Sequence, residues 1–183
     1  MSKNFLTGIY PGTFDPVTFG HLDIVTRATH IVDKLIISVA TNKHKSPFFS
    51  LSERIKMLQD CIDPSLIKNC EIIVVGFDNL LVDHAKNNNA QVIIRGLRAV
   101  ADFEYEFQMA GMNSKLNPEL ETIFLMASEN LQLTSARFVK EVAFHNGNIK
   151  PFVPKNVIDN FNQKLKEKKL WKNSIFYLHY HFL

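Results

Sequence analysis

Leu35-Ile36-Ile37-Ser38-Val39-Ala40 carries five apolar residues in six, with no alternation of apolar and polar positions. A strand with one wet face alternates, whereas a nearly unbroken Val, Ile and Leu run suits a strand covered on both faces, as in a parallel sheet. Three further runs have the same character: Glu71-Ile72-Ile73-Val74-Val75-Gly76, Gln91-Val92-Ile93-Ile94-Arg95 and Thr122-Ile123-Phe124-Leu125-Met126-Ala127. Phe5-Leu6-Thr7-Gly8-Ile9-Tyr10 reads as the first strand. The stretches between them follow a helical period. Residues 18–32 place Leu22, Val25, Ala28 and Val32 on one face. Residues 51–62 open with Ser50-Leu51-Ser52-Glu53, where Ser50 caps and Glu53 reaches back. Helices are also expected over 79–88, about 99–116, 135–145 and 154–168. Strand–helix alternation at this spacing predicts right-handed crossovers and a doubly wound, parallel five-stranded α/β sheet.

The 183 residues suit one domain, or one domain with an appendage. Hydrophobic residues make up 46% and charged residues 21%, so a folded core is expected rather than disorder. Cys61 and Cys70 alone make neither a disulfide scaffold nor a four-cysteine zinc site. The first residues lack a signal-peptide core, and no run nears 18 apolar residues; a cytoplasmic protein with no membrane partner is expected. The net charge of +3 is uneven. Lys164, Lys166, Lys168, Lys169 and Lys172 face only Glu167 near the C-terminus, while residues 1–163 are close to neutral. A nucleic-acid binder shows a basic stripe over its folded body, so no nucleic-acid partner is expected.

Ligands of such sheets sit outside the carboxyl ends of the strands, and the unusual polar residues gather there. After the first strand come Tyr10-Pro11-Gly12-Thr13-Phe14-Asp15-Pro16-Val17-Thr18-Phe19-Gly20-His21. Gly12 permits close backbone approach, Thr13 offers a hydroxyl, and Thr18 is placed to cap the next helix. Gly20 and His21 then lie in the first turn of that helix, a place suited to an anion, with two ring nitrogens aimed at it. A surface histidine beside a tight turn is the ordinary reading of Gly20-His21 alone; the whole run argues against it. After the second strand come Thr41-Asn42-Lys43-His44-Lys45, two lysines able to hold phosphate or simply a solvated loop. Arg95 ends an apolar run and needs an anionic partner, either a bound phosphate or an internal carboxylate, Asp102 or Glu106. After the fifth strand, Thr134 or Ser135 can cap another helix, with Arg137 in its first turn. These strand ends present donors and cations without a Walker loop, a G-x-G-x-x-G run or a covalent catalytic set. A polyphosphate ligand fits.

Thr18-Phe19-Gly20-His21 matches the T-x-G-H motif of the nucleotidyltransferase superfamily, which is related to the HIGH motif of class I aminoacyl-tRNA synthetases. YPGTFDPVTFGHLDIVTRA (10–28), IIRGLRAVADFEYEFQMAGMN (93–113) and FVKEV (138–142) resemble the phosphopantetheine adenylyltransferase family more closely, over about residues 4–165. RGLRAVADFEYE is the most specific part. The resemblance implies a Rossmann-like nucleotidyltransferase fold over 1–165, with 166–183 as a basic aromatic extension past the family's usual end. It implies transfer of the adenylyl group of ATP to 4′-phosphopantetheine, giving dephospho-coenzyme A and pyrophosphate, with Mg²⁺ as cofactor, held mainly by the ATP phosphates, and a homohexamer as the assembly. By the same resemblance, Thr13 and Phe14 contact ATP, and Thr13 also faces the acceptor phosphate. His21 stabilises the transition state at the α-phosphate, Lys45 and Arg95 hold the acceptor phosphate, and Leu81 lines the pantetheine arm. Gly96, Leu97, Arg98, Glu106 and Leu131, Gln132, Leu133, Thr134, Ser135, Ala136 and Arg137 form the rest of the ATP site. The family segment before VKE often reads Trp-x-x-Ile-Ser-Ser-Ser. Here the aromatic is missing, Ser135 keeps one hydroxyl, and Ala136 and Arg137 replace two.

The chemistry asks little of the protein beyond alignment and positive potential. A phosphomonoester nucleophile has a second pKa of about 6 and needs no general base at neutral pH. Attack on the α-phosphorus loads charge on its free oxygens and on the leaving pyrophosphate. His30, His84 and His145 read as surface or packing residues. The Phe103–Phe107 region reads as core or subunit interface. Two other functions fit less well: a sibling transferase using nicotinamide mononucleotide or making a CDP-alcohol, and a nucleotide-binding regulatory module without turnover.

Overall fold

The structure, a computed structural model, describes residues 5–42, 46–63, 67 and 69–180. Five parallel strands, β1 (Thr7–Gly12), β2 (Lys34–Ala40), β3 (Glu71–Phe77), β4 (Val92–Leu97) and β5 (Glu121–Met126), lie in the order β3-β2-β1-β4-β5. The chain first moves outward through β2 and β3. It then returns to the other side of β1 to add β4 and β5, so the strand order reverses between β1 and β4. The doubly wound parallel sheet expected from the apolar runs is therefore present.

Among the described residues, six α-helices connect and flank the strands: α1 (Phe19–Ala28), α2 (Leu51–Cys61), α3 (Leu81–Asn87), α4 (Val100–Leu116), α5 (Ala136–Phe144) and α6 (Lys155–Tyr180). The larger core joins Ile37, Val39, Val25, Leu58, Val139, Val157 and Phe161, from β2, α1, α2, α5 and α6. A smaller core on the other face joins Ile9, Ile36, Ile93, Val82 and Ala85. The central strands are buried as expected, but β3 and β5 are only half-buried. Each is an edge strand with one neighbour.

The first strand begins and ends two residues later than the sequence suggests. Pro11 has no N–H, which argues for a break there. The strand continues because β4 pairs only with Gly8 and Ile9, and the Pro11 carbonyl instead accepts from Arg95 Nη1 at 2.8 Å. The expected helix over 18–32 stops at Ala28. The helix expected to end at 168 runs on to Tyr180, across the boundary drawn between 165 and 166. Ser50 and Glu53 make the anticipated capping box of α2. The aromatic segment of α4 is not core: Phe103, Tyr105, Phe107 and Met112 are exposed.

Candidate active site

A cleft of about 400 Å³ opens at the point where the strand order reverses, the expected place for a ligand in an open α/β sheet. Its walls come from the β1–α1 turn, the end of β4 and the start of α5, among them Thr13, Phe14, His21, Arg95, Arg98 and Arg137. Widely separated strand ends thus converge on one cavity.

The β1–α1 turn is held from beneath. Phe14 has φ 50° and is buried, with its ring edge-on to Tyr10 and to His21, at 5.4 and 5.1 Å between centroids. Asp15 is 3% exposed, and its carboxylate accepts the N–H groups of Phe48 at 2.9 Å and Phe49 at 2.8 Å as well as the Lys140 ammonium at 2.5 Å. The Asp15–Pro16 peptide is cis. Thr18 caps α1 as anticipated, and His21 reaches back to the cap. The Thr18 backbone N–H donates to His21 Nδ1 at 3.0 Å. That nitrogen must therefore carry a lone pair, leaving the proton on Nε2. One ring nitrogen, not two, is available to a ligand. Burial, with the Arg98 charge nearby, lowers the His21 pKa from 6.5 to about 4, so the ring is neutral near pH 7.

Arg95 has its anionic partner inside the protein. Its guanidinium grips the Glu106 carboxylate through Nε, at 2.6 Å, and Nη2. Asp102 pairs instead with Arg98, Nε to Oδ2 at 3.1 Å. Arg95 still lines the cleft, with Arg98 and Glu106. Asp23 fastens the far wall by accepting the Ser128 N–H at 3.1 Å and its hydroxyl at 2.8 Å. This brings the segment after β5 against α1. Ser135 is the N-cap of α5, accepting from the Phe138 N–H at 3.1 Å. Ala136 and Arg137, in the first turn of α5, line the cleft wall, and the first N–H groups of a helix have no intrahelical partner.

Of the residues expected at the site, Thr13, Phe14, His21, Arg95, Gly96, Arg98, Glu106, Thr134, Ser135, Ala136 and Arg137 line this cleft. Leu97 does not, because its side chain is buried in the core. Leu131, Gln132 and Leu133 also stay outside it; Leu131 ends a short 3-10 turn, and Leu133 is 92% exposed. Leu81 lines a separate cavity of about 80 Å³ that shares Arg95 and Glu106 with the main cleft. Lys45 lies outside the described residues. Sequence reasoning missed Asp15 and Lys140, 125 positions apart, whose ion pair sits in the cleft. It also missed Asn42, whose amide donates to Thr13 Oγ1 at 2.9 Å. The FVKEV segment was the available signal for Lys140. No local pattern points to Asn42.

Plasmodium falciparum nicotinic acid mononucleotide adenylyltransferase complexed with NaAD has a similar fold. Its TM-score is 0.65 at 13% identity, covering 92% of this chain and 98% of that one. A cytidylyltransferase-like family model matches residues 9–142, so the chain belongs to the nucleotidyltransferases. Within that class, the phosphopantetheine adenylyltransferase of Rhodospirillum rubrum is 53% identical over 159 residues, covering 87% of this chain and 92% of the relative. That of Legionella pneumophila (strain Lens) is 50% identical over 162 residues, covering 88% and 93%. This chain belongs to the phosphopantetheine adenylyltransferase family.

Proposed function

We propose that this protein transfers the adenylyl group of ATP to 4′-phosphopantetheine, giving dephospho-coenzyme A and pyrophosphate. The observation that carries this reading is the convergence of Thr13, His21, Arg95, Arg98 and the first turn of α5 on one cleft, in a chain about half identical to enzymes bearing that name. An oxygen of the acceptor phosphate attacks the α-phosphorus in line. The new P–O bond forms as the bond to the β-phosphate oxygen breaks, and pyrophosphate carries away the electron pair. The acceptor is already ionised near neutral pH, since its second pKa is about 6. No covalent intermediate is needed.

His21, neutral and protonated on Nε2, donates to a free oxygen of the α-phosphate as charge builds there. Thr13 and Arg95 hold the acceptor phosphate, Lys45 joins them, and Leu81 lines the path of the pantetheine arm. Arg98, Glu106 and the 134–137 segment hold ATP with Phe14 and Gly96, while Leu97 contributes main chain. Mg²⁺, when bound, would be held mainly by the ATP phosphates and would offset their charge. Among the described residues no group of three or more His, Cys, Asp or Glu forms a cage, and the cleft carboxylates Asp15 and Glu106 are already paired with Lys140 and Arg95.

The large apolar side chains that α4 leaves exposed, Phe103, Phe107 and Met112 among them, support a homo-oligomer, with the hexamer as the assembly. No helix among the described residues is long and apolar enough to cross a membrane, and the reading places the enzyme in the cytoplasm. Pyrophosphate release on adding 4′-phosphopantetheine to enzyme, ATP and Mg²⁺ tests the activity. Release with nicotinamide mononucleotide or a CDP-alcohol precursor instead, or ATP binding with no release, would sink it. Sedimentation of the wild type and of Phe107→Glu tests the assembly.

A further inference from the structure

Arg54 is a buried cation whose hydrogen-bond partners are main-chain carbonyls. It lies on α2, is 2% exposed, and faces inward with Met57 and Leu58. Nε donates to the Phe49 carbonyl at 3.1 Å. Nη1 donates to the carbonyls of Thr13 at 2.6 Å and Ala40 at 2.7 Å, and Nη2 to that of Thr41 at 3.3 Å. One guanidinium thus ties the turn after β1, the end of β2 and the entry to α2 together.

A buried charge is a poor route to stability, since a well-packed apolar side chain usually does as well or better. What a planar fork of five donors supplies is geometry. The bonds fall on both sides of one contact. Arg54 holds the main chain of Thr13, and it holds Ala40 and Thr41, immediately before Asn42. The Asn42 amide donates to Thr13 Oγ1 at 2.9 Å. With that lone pair occupied, the Thr13 hydroxyl is left to turn its proton toward the cleft that Thr13 lines. Asn42 has φ 51°, in the left-handed region that asparagine enters more readily than most residues.

We propose that Arg54 is a positioning residue that fixes the Thr13 hydroxyl, through its carbonyl bonds to Thr13, Ala40 and Thr41 and through Asn42, in the orientation that meets the substrate phosphates. The phosphate role of Thr13 rests on the function proposed above. An ammonium cannot reproduce the fork, so Arg54→Lys shifts this frame without deleting the charge.

The test is a double-mutant cycle on kcat/KM for pyrophosphate release from ATP and 4′-phosphopantetheine. Arg54→Lys is expected to lower kcat/KM about 10- to 100-fold, the scale of a misplacement near 1 Å. In the Thr13→Val background it should lower it less than about threefold, because two residues acting through one contact are not additive. The same fall in both backgrounds would assign Arg54 to general stability and overturn the proposal, as would wild-type kinetics in Arg54→Lys. If Arg54→Lys loses its cooperative thermal transition, Asn42→Ala takes its place in the cycle, and an additive result again overturns the proposal. If the wild-type protein releases no pyrophosphate, the function above fails and hydrogen exchange decides the positioning claim. Faster exchange in Arg54→Lys confined to residues 12–14 and 40–42 supports it, and unchanged exchange there overturns it.

Discussion

The backbone N–H of Thr18 donates to His21 Nδ1 at 3.0 Å. In the common capping box a Glu or Gln at this helical position reaches back to the cap; here an imidazole does so. The contact joins helix initiation to chemistry, because the bond that finishes the cap also selects the tautomer. The free Nε2–H then stands at the first turn of α1, where the helix dipole favours an anion.

Replacing His21 by Ala should lower turnover about 10²- to 10³-fold, the usual loss for one preorganised donor. The N-cap hydroxyl and the core stay in place, so far-UV circular dichroism should not change. Turnover equal to wild type in such a folded variant would remove His21 from the reaction.

The acid limb of the rate should belong to the acceptor phosphate, with a pKa of about 6, because the His21 pKa is held down to about 4. The His21→Asn variant should keep that limb at lower amplitude. A limb that disappears in the variant would show that His21 titrates in the working range.

Stability carries the matching signature. Burial lowers the folded pKa of His21 from 6.5 to about 4, so between those values the unfolded chain binds more protons. Stability from this group is complete above pH 6.5 and is lost as pH falls toward 4. Burial pushes the His84 pKa down too. Melting temperatures of wild type and His21→Asn at pH 7 and pH 5 should show the smaller acid loss in the variant.

Arg95 and Glu106 are bonded through two donors. Arg95→Met leaves a mostly buried carboxylate unpaired and should cost about 3–5 kcal/mol. Adding Glu106→Leu should recover much of that stability in urea unfolding while transfer remains lost. A double variant no more stable than the single one would show that Glu106 does not depend on Arg95.

Asp15 should matter more to stability than Lys140. Asp15→Ala strips the acceptor from two amides and a cation and should cost about 3 kcal/mol or more. Lys140→Met leaves both amide bonds to the carboxylate intact. Urea unfolding of the pair gives the order, and equal losses would contradict it.

The apolar runs made the five strands legible, because a parallel sheet buries its central strands on both faces and needs no alternation. The edge strands β3 and β5 show the limit of that reading. Their runs look like those of β2, yet they are half-buried, since apolar content does not count neighbours. The caps at Thr18 and Ser50 were legible because donor and acceptor lie three residues apart. The partner of Arg95 was not, because Asp102 and Glu106 are both in reach along the sequence and only the path of α4 selects Glu106.

The sequence alone determined which elements form and which polar residues follow each strand, since those choices rest on local period, capping and turn chemistry. Tertiary structure decided how the site is wired. Asp15 with Lys140, Asn42 with Thr13 and Arg54 with the carbonyls of Thr13, Ala40 and Thr41 join segments that the chain separates and the sheet brings together. Each is a hydrogen bond set by distance in space, which no spacing along the chain encodes.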